Sequence, residues 1–200
     1  MRVLILTHPR TGGFSLLSWI SRELNHISYH EPLLSPDHAE TYPDVWYRPD
    51  AVVKEDITHL LDNGVDLFRF IQSFNRVIFH IRTDLEDLAI SWARQLATGE
   101  SHLVYQINEQ RISAHAVEIA QAKARAVRLQ EIILAQKHLC PIPFMTTSYE
   151  GVYATRQDVP KLCQFLGITD PQWLDSIDPA RRLRNGDSNL KEASRKIQII

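Results

Sequence analysis

The sequence predicts a three-layer α/β fold, a central and mostly parallel sheet flanked by helices, and three observations carry that expectation. Residues 2–7, Arg-Val-Leu-Ile-Leu-Thr, carry a continuous apolar run of the kind a strand buried on both faces requires. Four more short apolar runs follow, at 26–29, 51–53, 77–81 and 144–147. Between them lie helical periodicities, near 57–74, 84–98 and 114–138, and alternation of this kind is the pattern of βαβ crossovers.

The first strand leads at once into its helix. After the turn at 8–13, Phe14, Leu16, Leu17, Trp19, Ile20 and Leu24 recur at helical spacing, so the opening unit reads strand, loop, helix. Residues 31–50 carry four prolines with Tyr42, Trp46 and Tyr47 and do not fit one regular element. Residues 99–113 form a second irregular stretch. In doubly wound sheets such excursions at the carboxyl ends of strands build the ligand crevice. In the long helical pattern, Val117, Ala120, Ala124 and Val127 make a stripe suited to covering the sheet or meeting a second copy, so an oligomer is possible.

With 200 residues, the chain is expected to be one domain spanning 1–200. A chain of that size buries roughly 70% of the surface its unfolded form exposes, so it needs no metal or disulfide for stability. A formal net charge of −2 argues against a broad nucleic-acid surface. Cys140 and Cys163 are neither a CxxC pair nor near histidines at metal spacing, and read as reduced, buried thiols; no metal site is expected. The opening apolar run is too short for a secretory leader, and no stretch approaches the roughly 18 apolar residues of a membrane span. A cytoplasmic location is expected.

The segment His8-Pro9-Arg10-Thr11-Gly12-Gly13-Phe14-Ser15 joins the buried strand to the helix. Glycines let backbone amides approach an anion, and a helix N-terminus adds N–H groups and partial positive charge. Arg10 adds a forked cation, while Thr11 and Ser15 offer hydroxyl donors. The segment lacks the spacing and the lysine of GxxxxGK[ST], which disfavours a kinase or ATPase, and lacks the GxGxxG of dinucleotide binding.

These residues resemble the opening of the sulfotransferase superfamily, whose first strand is followed by a loop of the form Pro-Lys/Arg-Ser/Thr-Gly-Ser/Thr-Thr/Ser. Here the loop reads PRTGGFS, one residue longer than the usual spacing, with either Phe14 or Ser15 at the place of the second hydroxyl residue. The resemblance implies a P-loop-like fold that binds the sulfate donor 3'-phosphoadenosine 5'-phosphosulfate (PAPS) and releases its product PAP. It implies that Pro9, Arg10, Thr11, Gly12, Gly13, Phe14, Ser15 and Leu16 line the 5'-phosphosulfate.

A second segment, VIFHIRTDLEDLAISWARQ at 77–95, comprises a strand, an arginine at its end and an acidic helix start. Arg82 and Ser91 are candidates to grip one phosphate together. The segment resembles the sulfotransferase motif in which such an arginine and serine hold the 3'-phosphate, though here they are nine residues apart rather than eight. Its continuation SWARQLATGE is similar to the bacterial trehalose sulfotransferase group. Later, PFMTTSYEGVYATRQDVPKLCQFLGI resembles the family's strand, Tyr-Glu step and Phe-Leu-Gly helix, with Tyr149 and Glu150 architectural and Phe165 and Leu166 in the core. The basic tail, with Arg181, Arg182, Arg184, Gly186 and Lys191, resembles the loop that closes over the 3'-phosphate, and a solvated charge run is its equal rival.

Neutralising a leaving phosphate falls to Arg10. A hydroxyl acceptor, of a carbohydrate or small metabolite, also needs its proton removed, and His30 and Glu31 follow the second strand where a base would face the donor. The segment His30-Glu31-Pro32 is similar to the Glu-Pro segment that supplies the base in carbohydrate sulfotransferases, which favours Glu31. His8 and His80 read as structural, and Lys54 as a group that orients the acceptor. The rival readings are a P-loop-like protein that binds PAP or PAPS without turnover and, behind it, a small-molecule kinase.

Overall fold

The computed structural model describes residues 1–34, 48–98 and 116–172. Five strands, β1 (Val3–Thr7), β2 (Ile27–His30), β3 (Ala51–Asp56), β4 (Arg76–Ile81) and β5 (Phe144–Ser148), form one sheet in the order β2-β3-β1-β4-β5. Every pairing is parallel. The helices are α1 (Gly13–Leu24), α2 (Ile57–Asp62), α3 (Leu67–Gln72), α4 (Leu85–Thr98), α5 (Ala116–Leu139) and α6 (Val159–Leu166), with a π-helical turn at Glu150–Ala154. This is the P-loop-like α/β arrangement expected, a parallel sheet with helices in its crossovers.

The chain divides into two compact units, Met1–Thr83 with Leu129–Ile177, and Asp84–Arg128 with Asp178–Ile200. The first holds the sheet, and register explains its core. Val3 and Ile5 of β1, Val52 of β3 and Ile78 of β4 share one face. Leu16, Leu17, Trp19 and Ile20 of α1 and Val159, Leu162 and Leu166 of α6 complete one buried cluster with them. Leu4, Leu6, Val77 and Phe79 alternate to the opposite face and are buried too. Burial on both faces is why β1 reads as an uninterrupted apolar run. Phe165 packs partly buried against the first cluster. In the second unit, Leu88, Ala89, Trp92 and Ala93 of α4 are buried, Arg125 lies 5.3 Å from the Trp92 ring, and Lys123 pairs with Glu86.

Three sequence expectations shift. β3 runs on through Lys54, Glu55 and Asp56, because their main chain pairs with Ile5, Leu6 and Thr7 although their side chains are charged. The helical pattern at 57–74 is two helices: α2 ends at Asn63-Gly64, where Gly64 takes φ 63°, and Asp66 caps α3 by accepting from the amides of Phe68 and Arg69. On α5, Val117 is 65% exposed, and the buried stripe is instead Ala122, Ala126, Leu129 and Ile133. Leu129 and Ile133 offer more apolar area than the alanines of the rival stripe, and area decides which face turns inward. Among the described residues no helix is long and apolar enough to cross a membrane.

Candidate functional site

β1 and β4 are neighbours whose onward connections run to opposite edges of the sheet, β1 to β2 and β4 to β5. Ligands of open α/β sheets bind outside the strand carboxyl ends at such a reversal. The loop His8–Gly12 follows β1 and Arg82 follows β4, and the two meet: Arg82 Nη1 donates to the carbonyl of Arg10 at 3.1 Å.

The loop backbone is unusual. Arg10 and Gly12 take φ 69° and 79°, with Thr11 between them at negative φ. Left-handed residues on either side of Thr11 fold the loop tightly, the kind of backbone turn from which anion-binding nests are built. For Arg10 the left-handed region costs about 1–2 kcal/mol, a strain seen most at functional sites. Gly12 is required twice over: its φ is positive, and a Cβ there would lie 2.9 Å from both Tyr149 Cδ2 and Tyr153 Cε2. At Gly13 a Cβ would lie 2.9 Å from Thr7 Cγ2 and 3.0 Å from Lys54 Cε. The helix is thus started without side chains at the two positions where its first amides emerge.

Three cations surround this backbone. Burial, and after it the charge of Arg82, push the Arg10 guanidinium below its ordinary value. The two guanidiniums repel each other, and the Glu150 carboxylate beside Arg82 offsets part of that repulsion. Arg82 is braced by elements after β5: its guanidinium lies 4.4 Å from the Tyr149 ring centroid and its Nε 3.9 Å from Glu150 Oε1. Glu150 also accepts from the Thr83 amide and hydroxyl, at 2.9 and 2.6 Å. Tyr149 and Glu150, the expected architectural pair, thus hold Arg82 and Thr83 in place. The third cation, Lys54, comes from β3 and lays its stem against Gly13. Its place beside the loop is invisible in the linear motif, where no lysine occurs; the signal was the charged end of β3 in register with Ile5.

Lys54 Nζ also donates to Glu31, whose φ of 46° is a second strained position. Burial raises the Glu31 carboxyl, but Lys54, together with His30 and His59, holds it below the usual carboxylate range. His30 Nε2 lies 3.7 Å from Glu31 Oε1, and its ring meets that of Phe14 edge to face at 5.0 Å. Phe14 is 44% exposed at the start of α1. Glu55 is wholly buried and accepts from the amides of Leu33 and Asp56 and from His59 Nδ1, at 3.1, 3.0 and 2.9 Å. It thereby ties the chain just after Glu31 to β3.

Some of the expected loop contacts turn inward. Thr11 is buried and its hydroxyl donates to the His8 carbonyl at 3.1 Å, so it shapes the loop rather than facing a ligand. The amides of Ser15 and Leu16 both donate to the Gly12 carbonyl, and the Leu16 side chain is in the core with no exposure. Ser15 keeps its hydroxyl as its only possible contribution. Pro9 is half-buried, its carbonyl 3.2 Å from His8 Nδ1. Ser91 is half-buried on α4, in the second unit. Arg181, Arg182, Arg184, Gly186 and Lys191, and most of the irregular stretches at 31–50 and 99–113, lie outside the described residues.

The structural histidines are informative. His8 and His80 are each lowered to about 4, by burial before all else, and are neutral at ordinary pH. His80 spans two elements, Nε2 at 2.8 Å from the Thr11 carbonyl and Nδ1 at 2.8 Å from Thr147 Oγ1. Tyr153, which no sequence motif singled out, donates its hydroxyl to the Gly12 carbonyl at 2.6 Å. Among the described residues no cluster of three metal-ligating side chains is suited to a metal.

Comparison of the chain with protein-family models gives no match, and comparison with curated proteins gives none either.

Proposed function

We propose that this chain is a sulfotransferase that moves a sulfuryl group from PAPS to a hydroxyl of a carbohydrate or small metabolite. The observation that carries the reading is the 3.1 Å hydrogen bond from Arg82 to the Arg10 carbonyl, which joins the glycine loop after β1 to the arginine after β4. Those are the two segments expected to hold the two phosphate ends of one nucleotide. The fit is supported by a tight loop with positive φ at Arg10 and Gly12, by glycines where a Cβ would collide, and by converging cations.

When bound, PAPS supplies a sulfuryl group on a phosphate leaving group. The backbone from Arg10 to Phe14 holds the 5' end, and Arg10 and Lys54 provide the positive charge that stabilises negative charge gathering on the leaving side. Losing one such stabilising donor costs about 3–4 kcal/mol of barrier. Arg82 is the residue of the first unit that would hold the 3'-phosphate. Glu31 accepts the acceptor's proton, with His30 beside it. The reading goes with the cytoplasmic location expected from the sequence.

A second reading, a protein that binds PAP or PAPS without turnover, is favoured by one observation. Glu31 is paired with Lys54 and held below the usual carboxylate range, which weakens it as a base. Incubating the protein with sulfur-labelled PAPS and a panel of sugars and small alcohols separates the two. Label transfer that is lost in Glu31→Gln supports the sulfotransferase, whereas tight PAP binding with no transfer to any acceptor supports the second reading.

A further inference from the structure

We propose that His80 and Tyr153 are positioning residues for the oxyanion cradle, which set the direction of the Gly12 and Gly13 amides by holding the preceding carbonyls. The inference rests on the reading of this loop as the site of the donor's 5'-phosphate end.

The argument begins with the peptide unit. The described backbone contains no cis peptide. In a trans peptide the carbonyl of one residue and the N–H of the next point in opposite directions, so fixing the one fixes the other. Three consecutive carbonyls of the loop are each held by a side chain from another element. Arg10 O accepts from Arg82 at 3.1 Å, Thr11 O from His80 at 2.8 Å, and Gly12 O from Tyr153 at 2.6 Å. The amides whose direction is thereby set are those of Thr11, Gly12 and Gly13.

The arrangement answers a specific weakness. Two adjacent glycines make the softest backbone in the loop, and ordering soft backbone on binding subtracts from affinity. Donors that are already aimed avoid that loss. The side chains doing the holding are themselves constrained. His80 is fully buried between Thr11 and Thr147, and desolvation keeps it neutral. With Nδ1 accepting from the Thr147 hydroxyl, the single ring proton is on Nε2, aimed at the Thr11 carbonyl. The Tyr153 ring packs 4.9 Å from that of Tyr149, tilted by 46°, and closely against Gly12, so its hydroxyl is delivered from a packed aromatic pair.

A residue that merely anchors the fold would affect all ligands alike, which supplies the test. Calorimetry compares two probes, PAP and adenosine 3'-phosphate, which lacks the 5'-phosphate, on the wild type, Tyr153→Phe, His80→Leu and His80→Gln. The wild type prefers PAP. Tyr153→Phe and His80→Leu each lower PAP affinity about three- to tenfold, the worth of one hydrogen bond, and leave adenosine 3'-phosphate unchanged. His80→Gln, whose amide keeps a donor for the Thr11 carbonyl, restores the wild-type ratio. The two positions are tested separately, so a variant that fails to fold leaves the other to decide. A wild-type preference that survives in the variants, or equal weakening of both probes, overturns the inference while the donor site stands. If the wild type does not distinguish the probes, the donor-site reading and this inference fall together.

Discussion

The guanidinium of Arg82 donates to the backbone carbonyl of Arg10 across 72 residues of sequence. Together with the bond from His80 to the Thr11 carbonyl, that contact ties the loop after β1 to the end of β4, and it places the fork of Arg82 beside the strained residue whose own charge it opposes. An arrangement that sets two cations together and holds backbone strain gains further stability from an anionic ligand, beyond what Glu150 and Tyr149 give Arg82.

Arg10→Gly separates stability from binding. Glycine relieves about 1–2 kcal/mol of left-handed strain and adds about 0.5–1 kcal/mol of unfolded-state entropy, so the unfolding free energy stays level or rises by up to about 1.5 kcal/mol. PAP binding falls sharply in the same variant. Urea unfolding beside calorimetry checks both; a large loss of stability would show that Arg10 serves the fold.

Gly12→Ala is expected to be among the costliest single-methyl changes in the chain. The new Cβ meets two tyrosine rings at 2.9 Å and sits at φ 79°, so overpacking and strain together cost about 2–4 kcal/mol. The midpoint of thermal unfolding reads this directly. Gly64→Ala is the control, because that glycine also has positive φ but nothing lies within 4 Å of its added Cβ.

The buried histidines predict an acid-sensitive fold. The pKa of His80 falls from 6.5 unfolded to about 4 folded, so between those values the unfolded chain binds the extra proton and stability declines as pH falls. Above pH 6.5 both states are neutral and the effect vanishes; below about 4 it levels off. A shift of this size is worth about 3 kcal/mol. His80→Gln removes that share of the slope, which unfolding curves at pH 7 and pH 4.5 will register.

Lys54→Met leaves the Glu31 carboxylate without its main counter-charge. The wild-type pair adds stability above the usual glutamate value near 4.5, and that contribution is lost as pH falls through the lowered folded value. In the variant the penalty, about 2–4 kcal/mol at neutral pH for a largely buried pair, shrinks as acid protonates Glu31. A penalty independent of pH would place the role of Lys54 in packing alone.

Much of this was legible in the residues. The strand at 3–7, the glycine turn and the arginine ending β4 are local signals, each set by apolar runs or by backbone conformations few residues tolerate. Lys54 and Tyr153 were not, because their relation to the loop is created by strand register and by a chain return 141 residues away. Thr11 misled for the opposite reason. A hydroxyl in a phosphate-like motif reads as a donor to ligand, yet here its nearest acceptor is the His8 carbonyl of its own turn. The break at Asn63-Gly64 was written in the sequence, but apolar periodicity on both sides of it overrode the turn signal.

The most direct test of the central claim is isothermal titration of PAP into the wild type, Arg10→Ala and Arg82→Ala. The account predicts saturable binding to the wild type that weakens at least about tenfold in each variant, with less than additive loss in the double variant because the two arginines act on one ligand. Wild-type binding that neither substitution alters, or no binding at all, would contradict it.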